Sequence, residues 1–590
     1  MVIQEELLQE KELDTELELD IISKVKLNLQ KTLLLCGVFC FVLSCSDNLH
    51  LNIEIESGLI EGYESEDGTI KFLGIPYAEP PVENLRWKPP VKKLPWSGTL
   101  KTVEPEKACS QPTNDRTGNN AFYKLILQES GLDLTSLAEV SGFDEVSELN
   151  TSEDCLYLNV IVPKGGAKKK PVMFWIHGGA GRWGSGHEGN YTSSYLPNQG
   201  DVIVVTIQYR LGIFGWLAHP ELSDESINGV SGNYGTLDQI LALEWVQNNI
   251  SRFGGDPNNV TIFGESAGGQ AVSSLLMSPL SKGLFHKAIS QSGSAIPNIS
   301  IPLKVSESGV SAEYFGINAV NFFLGENGSI EDLRKLPASE IVEINDPMLD
   351  NTIMANISGQ IVDGYVFPIN SLQSFKKGHN HKVPHLIGFN ANEGTSLLPL
   401  IIDKQMFSYF GDMWPAVIWS FIDPEAALMA FTDPSKLSPP PNQYLNLIDS
   451  NADPYKTAID LWGEMFFGAP AFHAALNHSE LANTYLYYFD VDLNVPSDYL
   501  GATHALELGY LFNEGGLFGI EETITDTDRM IAKEIRNDWI EFAKHGRIES
   551  YIPFSSKNPT AKIYSTNIKN SRLWNENFYK FMSDYWDSTN

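Results

Sequence analysis

The sequence predicts an α/β protein in which helices cover both faces of a mostly parallel central sheet, with further helical insertions capping it. Two observations lead to this fold class. Short apolar runs typical of buried strands alternate with helix-spaced segments, and no internal repeat or long low-complexity linker divides the chain. We therefore expect a single domain over residues 46–590, preceded by a leader over residues 1–45 that is removed or disordered.

Length, charge and metal-ligand spacing limit what this domain can be. At 590 residues the chain can bury a large core, and its formal net charge of −33 repels nucleic acids and anionic membranes. We expect no nucleic-acid partner, and the acidic surface either serves solubility or attracts cationic substrates. The cysteines and histidines show no zinc-ligand spacing, so the sequence predicts neither a metal nor an organic cofactor.

The leader contains a signal-like segment, residues 33–44, which is apolar for about a dozen residues and follows Lys24, Lys26 and Lys31. A membrane span needs about twenty apolar residues, so the segment fits a secretory signal better. The acidic residues before it are unusual for a signal, which indicates a native start nearer Lys24 or a disordered leader. Cys45 leaves two alternatives open: lipoprotein-type cleavage with a lipid anchor on Cys45, or retention of the segment as an anchor.

Two cysteines, Cys109 and Cys155, stand apart from the three near the signal-like segment. If the protein is exported, they form the plausible intramolecular pair, and a disulfide would close a loop of roughly 45 residues. The enclosed residues 114–150 are polar and lack strong periodicity. We interpret them as a loop on the rim of a functional site.

The first part of the predicted domain reads as β-structure followed by a loop. Residues 51–64 alternate apolar and polar side chains, as half-buried antiparallel strands do. Residues 72–90, FLGIPYAEPPVENLRWKPP, carry too many prolines for a helix or a central strand. An ordered surface loop is therefore expected there.

The centre of the chain alternates predicted strands and helices. Residues 237–248 and 270–277 have helical spacing, and the amphipathic segment 526–545 should form a helix that packs against the rest of the domain. Helical patterns in residues 300–370 and 400–480, such as 459–467, indicate insertions that cap the sheet and form a lid and pocket. The buried strands are predicted at residues 172–177, 202–208, 260–264, 287–291, 385–390 and 484–489.

Residues 260–269, VTIFGESAGG, combine a strand, a tight turn at Ser266 and the start of a helix. Gly264 and Gly268 are needed because a Cβ at either position would collide as the chain reverses around the serine. This pattern is the nucleophile elbow of the α/β-hydrolase fold, in which a strained turn exposes the serine Oγ. Ser266 is therefore the candidate nucleophile.

A serine nucleophile needs a base to accept its proton and an acid to orient that base. In this fold the acid and then a histidine follow the serine, each on a loop after a strand. Glu393 follows the predicted strand 385–390 and His504 follows 484–489, so they are the candidate acid and base. The rival histidines lie before or within a predicted strand, or close behind the elbow helix: His286, His379, His381, His385, His473 and His478.

The segment WIHGGAGRWGS, residues 175–185, places a glycine-rich turn directly after a predicted strand. Glycines let backbone N–H groups approach a substrate closely, and an HGG-type turn here is a source of oxyanion-hole donors in this fold. The N–H groups of Gly179 and Ala180, together with that of Ala267, are the candidate donors.

With these motifs placed, the chain resembles the type-B carboxylesterase and cholinesterase family from about Leu51 to its C terminus. The spacing of Ser266, Glu393 and His504 is also close to the family's usual layout. The matching segments are FLGIPYAEPPVENLRW, SEDCLYLNV, WIHGGA, YRLGIFGWL, GNYGTLDQ, FGGDPNNVTIFGESAGG, NANEG and GATHALEL. The resemblance implies the α/β-hydrolase fold, ester hydrolysis, a Cys109–Cys155 disulfide, and ion pairs of Arg86 with Glu153 and of Arg210 with Asp238.

Departures from the family pattern refine this expectation. Ala180 replaces the third glycine of an HGGG motif, and Gly181 stands where the family commonly has an aromatic residue, which widens the acyl side. The tryptophan that binds choline in cholinesterases should precede Cys155 by about ten residues, but the segment FDEVSELNTSEDC has none. A general carboxylesterase is therefore favoured over a cholinesterase.

The resulting hypothesis is an exported serine carboxylic-ester hydrolase that acts through an acyl-enzyme on small to medium carboxylic esters. A small-molecule ester is the expected partner, membrane contact is expected only through a lipid anchor at Cys45, and the oligomeric state stays open. The alternatives are a lipase, thioesterase, amide-cleaving or cholinesterase variant, and a non-catalytic adhesion protein similar to the neuroligins, which typically lose the nucleophile.

Overall fold

The protein is described by a computed structural model that covers residues 51–112, 119–132, 150–164, 169–294, 300–304, 311–342, 360–423, 438–448, 453–497 and 499–589. The predictions for the leader, including Cys45, lie outside the described residues. Leu51–Lys164 and Lys168–Asn590 belong to one compact unit. Among the helices of the described residues, none combines the length and the apolar character that a membrane crossing requires.

The strands, numbered in chain order, are β1 Asn52–Ile55, β2 Gly58–Glu61, β3 Tyr63–Glu64, β4 Ile70–Pro76, β5 Thr99–Lys101, β6 Ala108–Cys109, β7 Thr151–Ser152, β8 Tyr157–Val162, β9 Lys170–Ile176, β10 Ile203–Ile207, β11 Gly255–Glu265, β12 Lys287–Gln291, β13 Ile301–Pro302, β14 Ile361–Val362, β15 His385–Asn390, β16 Thr484–Phe489, β17 Thr560–Tyr564 and β18 Lys569–Arg572.

The α-helices are α1 Asn119–Ser130, α2 Tyr195–Gly200, α3 Gly212–Trp216, α4 Pro220–Glu225, α5 Tyr234–Asn249, α6 Ala267–Met277, α7 Ala312–Leu324, α8 Ile330–Leu333, α9 Ala338–Val342, α10 Ser371–Lys377, α11 Gly394–Ile401, α12 Lys404–Ser408, α13 Trp414–Trp419, α14 Pro441–Tyr444, α15 Pro454–Gly463, α16 Ala469–His478, α17 Glu507–Phe512, α18 Asp526–His545 and α19 Glu576–Thr589. A π-helical turn, Glu464–Gly468, joins α15 to α16.

An eleven-stranded sheet organises the molecule, in the order β18-β17-β16-β15-β12-β11-β9-β10-β8-β4-β3. The strands from β10 to β17 in this order pair in parallel, and antiparallel strands close the sheet at both edges. Because the central strands run in one direction, their carboxyl ends share one edge, where ligands bind in open α/β sheets. The mostly parallel sheet predicted from the sequence is confirmed.

Both faces of the sheet are buried under helices. On β15, Leu386 packs into one apolar core together with α17 and α18, and its neighbour Ile387 packs into a second core with α15 and α16. The same alternation on β16 sends Tyr487 to the first core and Leu486 to the second. A strand buried on both faces is apolar throughout, which explains why the central strands were readable as continuous apolar runs.

The strands predicted at 287–291, 385–390 and 484–489 are confirmed with the predicted bounds. Those predicted at 172–177, 202–208 and 260–264 are also present, with ends that differ by a few residues. The helix at 526–545 is confirmed, and a reciprocal Thr525–Asp528 capping box begins it.

Two predictions for the N-terminal part are wrong in part. Residues 72–76 are not a surface loop, because they belong to β4, which pairs with β8 in the main sheet and is largely buried. The prolines misled the prediction: only Pro76 falls within the strand, at its end, where its missing N–H costs little. Within the predicted loop 114–150, residues Asn119–Ser130 form the helix α1.

Candidate active site

Ser266 lies at the tight turn between β11 and α6, with φ 57° and ψ −124°. Such a left-handed conformation is strained for a non-glycine residue and persists only where its surroundings enforce it. A Cβ on Gly268 would lie 2.0 Å from the carbonyl oxygen of Ile176, and one on Gly264 would lie 2.6 Å from the same oxygen. Close approach of β9 therefore requires both glycines, as the elbow motif predicts.

Glu393 and His504 are brought together at the carboxyl edge of the sheet. Glu393 follows β15, and a bridge between Asn392 and Thr503 aligns its loop with the loop that carries His504. The Asn392 N–H donates to the carbonyl of Ala502, at 3.0 Å. Glu393 Oε2 lies 2.6 Å from His504 Nδ1. This short contact holds the imidazole by the nitrogen that a triad acid would engage.

The other imidazole nitrogen of His504 faces the nucleophile elbow. His504 Nε2 lies 3.2 Å from Oε1 of Glu265, the residue that precedes Ser266. His504 and Ser266 line the same cavity. The geometry therefore provides an oriented imidazole whose Nε2 is turned toward the segment that carries the serine.

The pKa of His504 depends on a balance between burial and nearby carboxylates. Burial alone would lower the pKa of His504, but Glu265, Glu393 and Glu507 raise it to about 9. Burial also raises the pKa of Glu265 well above its ordinary value. With 3.2 Å between the two groups, the protonation of Glu265 and that of His504 are coupled.

The HGG turn after β9 lies beside the nucleophile. Gly179 has φ 94° and Ala180 has φ 55°, so both residues adopt left-handed conformations. A Cβ on Gly179 would lie 2.1 Å from the carbonyl oxygen of Trp183, which explains the glycine there. Gly179, Ala180 and Ser266 line one cavity, and Ala267 begins α6, so its N–H has no intrahelical acceptor.

This cavity, which we call the catalytic cavity, has a volume of about 100 Å³. Its wall is mainly aromatic and aliphatic, and α1 contributes Phe122 and Tyr123 to it. The residues 119–132 thus form part of the rim, as predicted for the segment between the cysteines, although as a helix. The helix α11 contributes Leu397 and Leu400.

Several residues of the site were missed by sequence reasoning. Glu507 accepts hydrogen bonds from the side-chain amides of Asn390, at 2.7 Å, and Gln291, at 3.2 Å, and burial raises its pKa to about 7. The Asn390 N–H donates to Oε1 of Glu393, at 2.7 Å. The signal available in the sequence was position: Glu265 adjoins the nucleophile, and Glu507 follows His504 by one helical turn.

The helix α18 also reaches this network. Its Trp539 indole N–H donates to Oε1 of Gln291, at 3.0 Å, and Gln291 in turn donates to Glu507. We expected this helix only to pack, and it both packs and supports the buried carboxylates.

Four of the rival histidines contact residues outside the candidate triad. The rings of His381 and His478 contact the backbone carbonyls of Ser278 and Val383, both at 2.9 Å. His385 lies within β15 against Ser290, and His473 contacts Ser583. His504 is therefore the histidine that the structure brings to Ser266 and Glu393.

The covalent and ionic contacts implied by the family resemblance are present. Cys109 and Cys155 form a disulfide that spans 46 residues. Arg86 Nε lies 2.6 Å from Glu153, and Arg210 Nη2 lies 2.7 Å from Asp238. Among the described residues, no group of three or more His, Cys, Asp and Glu side chains forms a potential metal site.

The chain is similar to known proteins over most of its length. The family described as the carboxylesterase family matches residues 50–583. A fumonisin B1 esterase of Sphingopyxis macrogoltabida is 35% identical over 85% of this chain and 83% of its own. A para-nitrobenzyl esterase of Bacillus subtilis is 33% identical over 84% of this chain and 90% of its own.

The fold is also similar to that of a solved esterase structure. A structure described as a thermophilic PNB esterase superposes with a TM-score of 0.69 at 31% sequence identity. The superposition covers 88% of this chain and 97% of the other.

Proposed function

The chain belongs to the carboxylesterase family and is a serine carboxylic-ester hydrolase, and from this we propose that Ser266, His504 and Glu393 are its catalytic triad. The observation that carries the assignment is the 2.6 Å contact between His504 Nδ1 and Glu393 Oε2, at a cavity that Ser266 also lines. The proposal extends to the N–H groups of Gly179, Ala180 and Ala267 as the oxyanion hole.

The proposed reaction proceeds through an acyl-enzyme. His504 Nε2 accepts the Ser266 hydroxyl proton while Oγ attacks the ester carbonyl carbon and the carbonyl oxygen becomes an oxyanion. The three N–H groups stabilise this oxyanion. The tetrahedral intermediate then expels the alcohol, which takes its proton from His504. Water, deprotonated by His504, then attacks the acyl carbon, and as the second tetrahedral intermediate collapses to the acid, Ser266 Oγ leaves and takes the proton back from His504.

Glu393 supports this cycle without taking the proton. Its carboxylate fixes the His504 tautomer with Nδ1 protonated and stabilises the imidazolium that forms in each half-reaction. The buried position of both side chains, about 4% exposed for His504 and 2% for Glu393, strengthens that electrostatic support.

Small to medium carboxylic esters are the proposed substrates. Two named relatives act on esters: one is a fumonisin B1 esterase and one a para-nitrobenzyl esterase. A catalytic cavity of about 100 Å³ has room for the ester group and a short substituent.

A fluorophosphonate probe tests the triad assignment, because it reacts with an activated serine. We expect the wild type to be labelled at Ser266, as located by peptide mass spectrometry, together with loss of p-nitrophenyl acetate hydrolysis. The Ser266→Ala variant should be neither labelled nor active. A wild type that resists the probe would contradict the assignment and favour a non-catalytic binding protein.

Export is proposed as well. The Cys109–Cys155 disulfide supports it, because disulfides persist in oxidising compartments. Mass spectrometry of the N terminus of the mature protein distinguishes signal cleavage from a lipid on Cys45. An unprocessed chain recovered from the reducing cytosol would contradict export.

A further inference from the structure

We propose that Leu397 and Leu400 carry an extended apolar substituent of the ester out of the catalytic cavity, so that Leu400 determines specificity for hydrocarbon chain length. This inference rests on the proposed ester hydrolysis at Ser266 and names a substrate class for it: esters with a hydrocarbon chain of about eight carbons, which are longer than the cavity alone can hold.

The size of the catalytic cavity is the first observation. Ligand pockets commonly enclose about 300–1,000 Å³, whereas the catalytic cavity encloses about 100 Å³. A long substituent attached to an ester at Ser266 therefore has to continue past the cavity wall.

The second observation concerns the lining residues that reach the surface, which include Ala180 at the oxyanion turn and Leu400 on α11. The lining residues deep in the cavity, such as Glu265, His504 and Leu508, are buried. Leu400 lines the cavity and yet is 43% exposed, and Leu397 beside it is half-buried. Leu400 thus contacts the cavity and the surface at the same time, and it offers an apolar path between them.

The third observation is the apolar surface that follows. Ile401, at 43%, Met406, at 47%, and Tyr409, at 77%, are exposed in the same stretch of chain. Single exposed apolar residues are ordinary, but several that follow a cavity-lining residue closely in sequence extend its apolar surface along this stretch of chain. Met406 and Tyr409 are three residues apart, which places them on one side of the α12 region.

The wall opposite α11 is also apolar. The helix α1 contributes the half-buried Phe122, whose ring lies 6.3 Å from that of His504. Phe467 of the π-helical turn lies 4.8 Å from the His504 ring. Phe122, Leu397 and Leu400 all line the cavity, so a hydrocarbon chain that passes them stays on apolar surface. Each CH₂ that leaves water favours binding by up to about fourfold.

The test compares chain lengths in two ester series at concentrations below self-association of the longer ester. The acyl series is p-nitrophenyl acetate and octanoate, and the alcohol series is methyl and octyl acetate. For the wild type we expect kcat/KM to rise from the short to the long ester in one series. Leu400→Asp should lower that long-to-short ratio by roughly tenfold or more, because a charge then lies on the path of the chain.

Three controls make the result specific. Leu400→Met keeps an apolar side chain and should keep the ratio within about twofold of wild type, which excludes a general effect of substitution at this position. Ile227→Asp places the same charge on a residue that is 99% exposed and does not line the cavity, and it should leave both ratio and activity unchanged. Circular dichroism and the melting temperature check that Leu400→Asp is folded.

A lower long-to-short ratio for Leu400→Asp in the acyl series or in the alcohol series supports the proposal. The series in which the ratio falls shows whether the hydrocarbon chain belongs to the acyl or to the alcohol side of the ester. An unchanged ratio in both series for folded Leu400→Asp overturns it, as does an effect that appears only above self-association of the long ester. If the wild type hydrolyses neither short ester, ester hydrolysis at Ser266 fails instead, which is a separate outcome.

Discussion

At the scale of single residues, the site is defined by how much negative charge surrounds one imidazole. His504 is buried, and burial disfavours its protonated form, yet Glu265, Glu393 and Glu507 raise its pKa to about 9. Glu393 contacts Nδ1, whereas Glu265 faces Nε2, the nitrogen that accepts the serine proton in the proposed mechanism. The two glutamates therefore have different effects, which substitution can separate.

Glu393→Gln should leave the fold intact and lower kcat by about a thousandfold to ten-thousandfold. An amide keeps the shape but cannot stabilise the imidazolium, and it can hold the wrong tautomer of His504. Steady-state kinetics with p-nitrophenyl acetate measure the loss, and the melting temperature reports folding. Undiminished turnover would mean that another residue is the acid.

Glu265→Gln should instead shift the pH dependence. The base must be neutral to accept the serine proton, so kcat/KM rises with pH through the pKa of His504. Without the Glu265 charge, that pKa falls, and the midpoint of the acid limb should move down by about one pH unit or more.

Glu507→Gln is the matched comparison for Glu265→Gln. Glu507 also raises the pKa of His504, but less than Glu265 does, so its acid limb should shift less. A midpoint that stays fixed in both variants would show that neither carboxylate controls the protonation of His504.

The sequence was informative about residues whose roles follow from order along the chain. Ser266, Glu393 and His504 each follow a strand, and the order serine, acid, histidine is a property of the fold. Glu188 shows where this reasoning ends: it is buried, lines the catalytic cavity and bonds the Ser185 N–H, at 3.3 Å. No periodicity or motif distinguishes it, because its neighbours come from separate parts of the chain.

At the scale of elements, the disulfide segment and the HGG turn form one unit. Gln111 lies two residues after Cys109, and its side chain donates to the carbonyl of Gly184, at 2.9 Å, and accepts from the Gly184 N–H, at 2.8 Å. Gly184 lines the catalytic cavity together with Gly179. The Cys109–Cys155 disulfide therefore lies two residues from the side chain that bonds the candidate oxyanion turn, and it anchors that segment.

Gln111→Ala should lower kcat by roughly tenfold to a hundredfold with a smaller effect on KM, because displacing the turn moves donors that matter most in the transition state. The matched control is Gln247→Ala. Gln247 also bonds two backbone carbonyls, those of Pro257 and Leu284, but does not line the cavity. Both variants should lose stability by about 1–3 kcal/mol, as followed by urea unfolding. Equal kcat in the two would contradict a positioning role for Gln111.

The elements that the sequence predicted well and badly differ in physical terms. β15 and β16 are buried on both faces, so their bounds are visible as apolar runs between polar residues. β4 was missed because prolines just beyond it dominate the local pattern. The helix α1 was missed because its apolar residues, such as Ile126 and Leu127, are buried through contacts across the molecule rather than by a strong helical period.

At the scale of the whole molecule, the negative charge of the chain and that of the catalytic cavity have the same effect on charged ligands. The formal net charge is −33. Besides Glu265, which is coupled to His504, the catalytic cavity is lined by Glu188, and its lining among the described residues includes no lysine or arginine. A cleft with charge of one sign and an apolar wall concentrates ligands of the opposite charge and repels those of the same charge.

Three ethyl esters of similar size should therefore react in the order cationic, neutral, anionic: the esters of trimethylammoniobutyrate, pentanoate and glutarate. At low salt we expect kcat/KM for the cationic ester to exceed that for the anionic ester by about tenfold or more. Raising the ionic strength to about 0.5 M shortens the screening length to a few ångströms and should reduce this ratio severalfold, while the neutral ester changes little. At high ionic strength, the remaining preference for the cationic over the anionic ester comes from charge inside the cavity. Glu188→Gln should therefore reduce this remaining ratio of kcat/KM values. A ratio near one at low salt, or a ratio that does not respond to salt, would show that the acidic surface serves solubility alone.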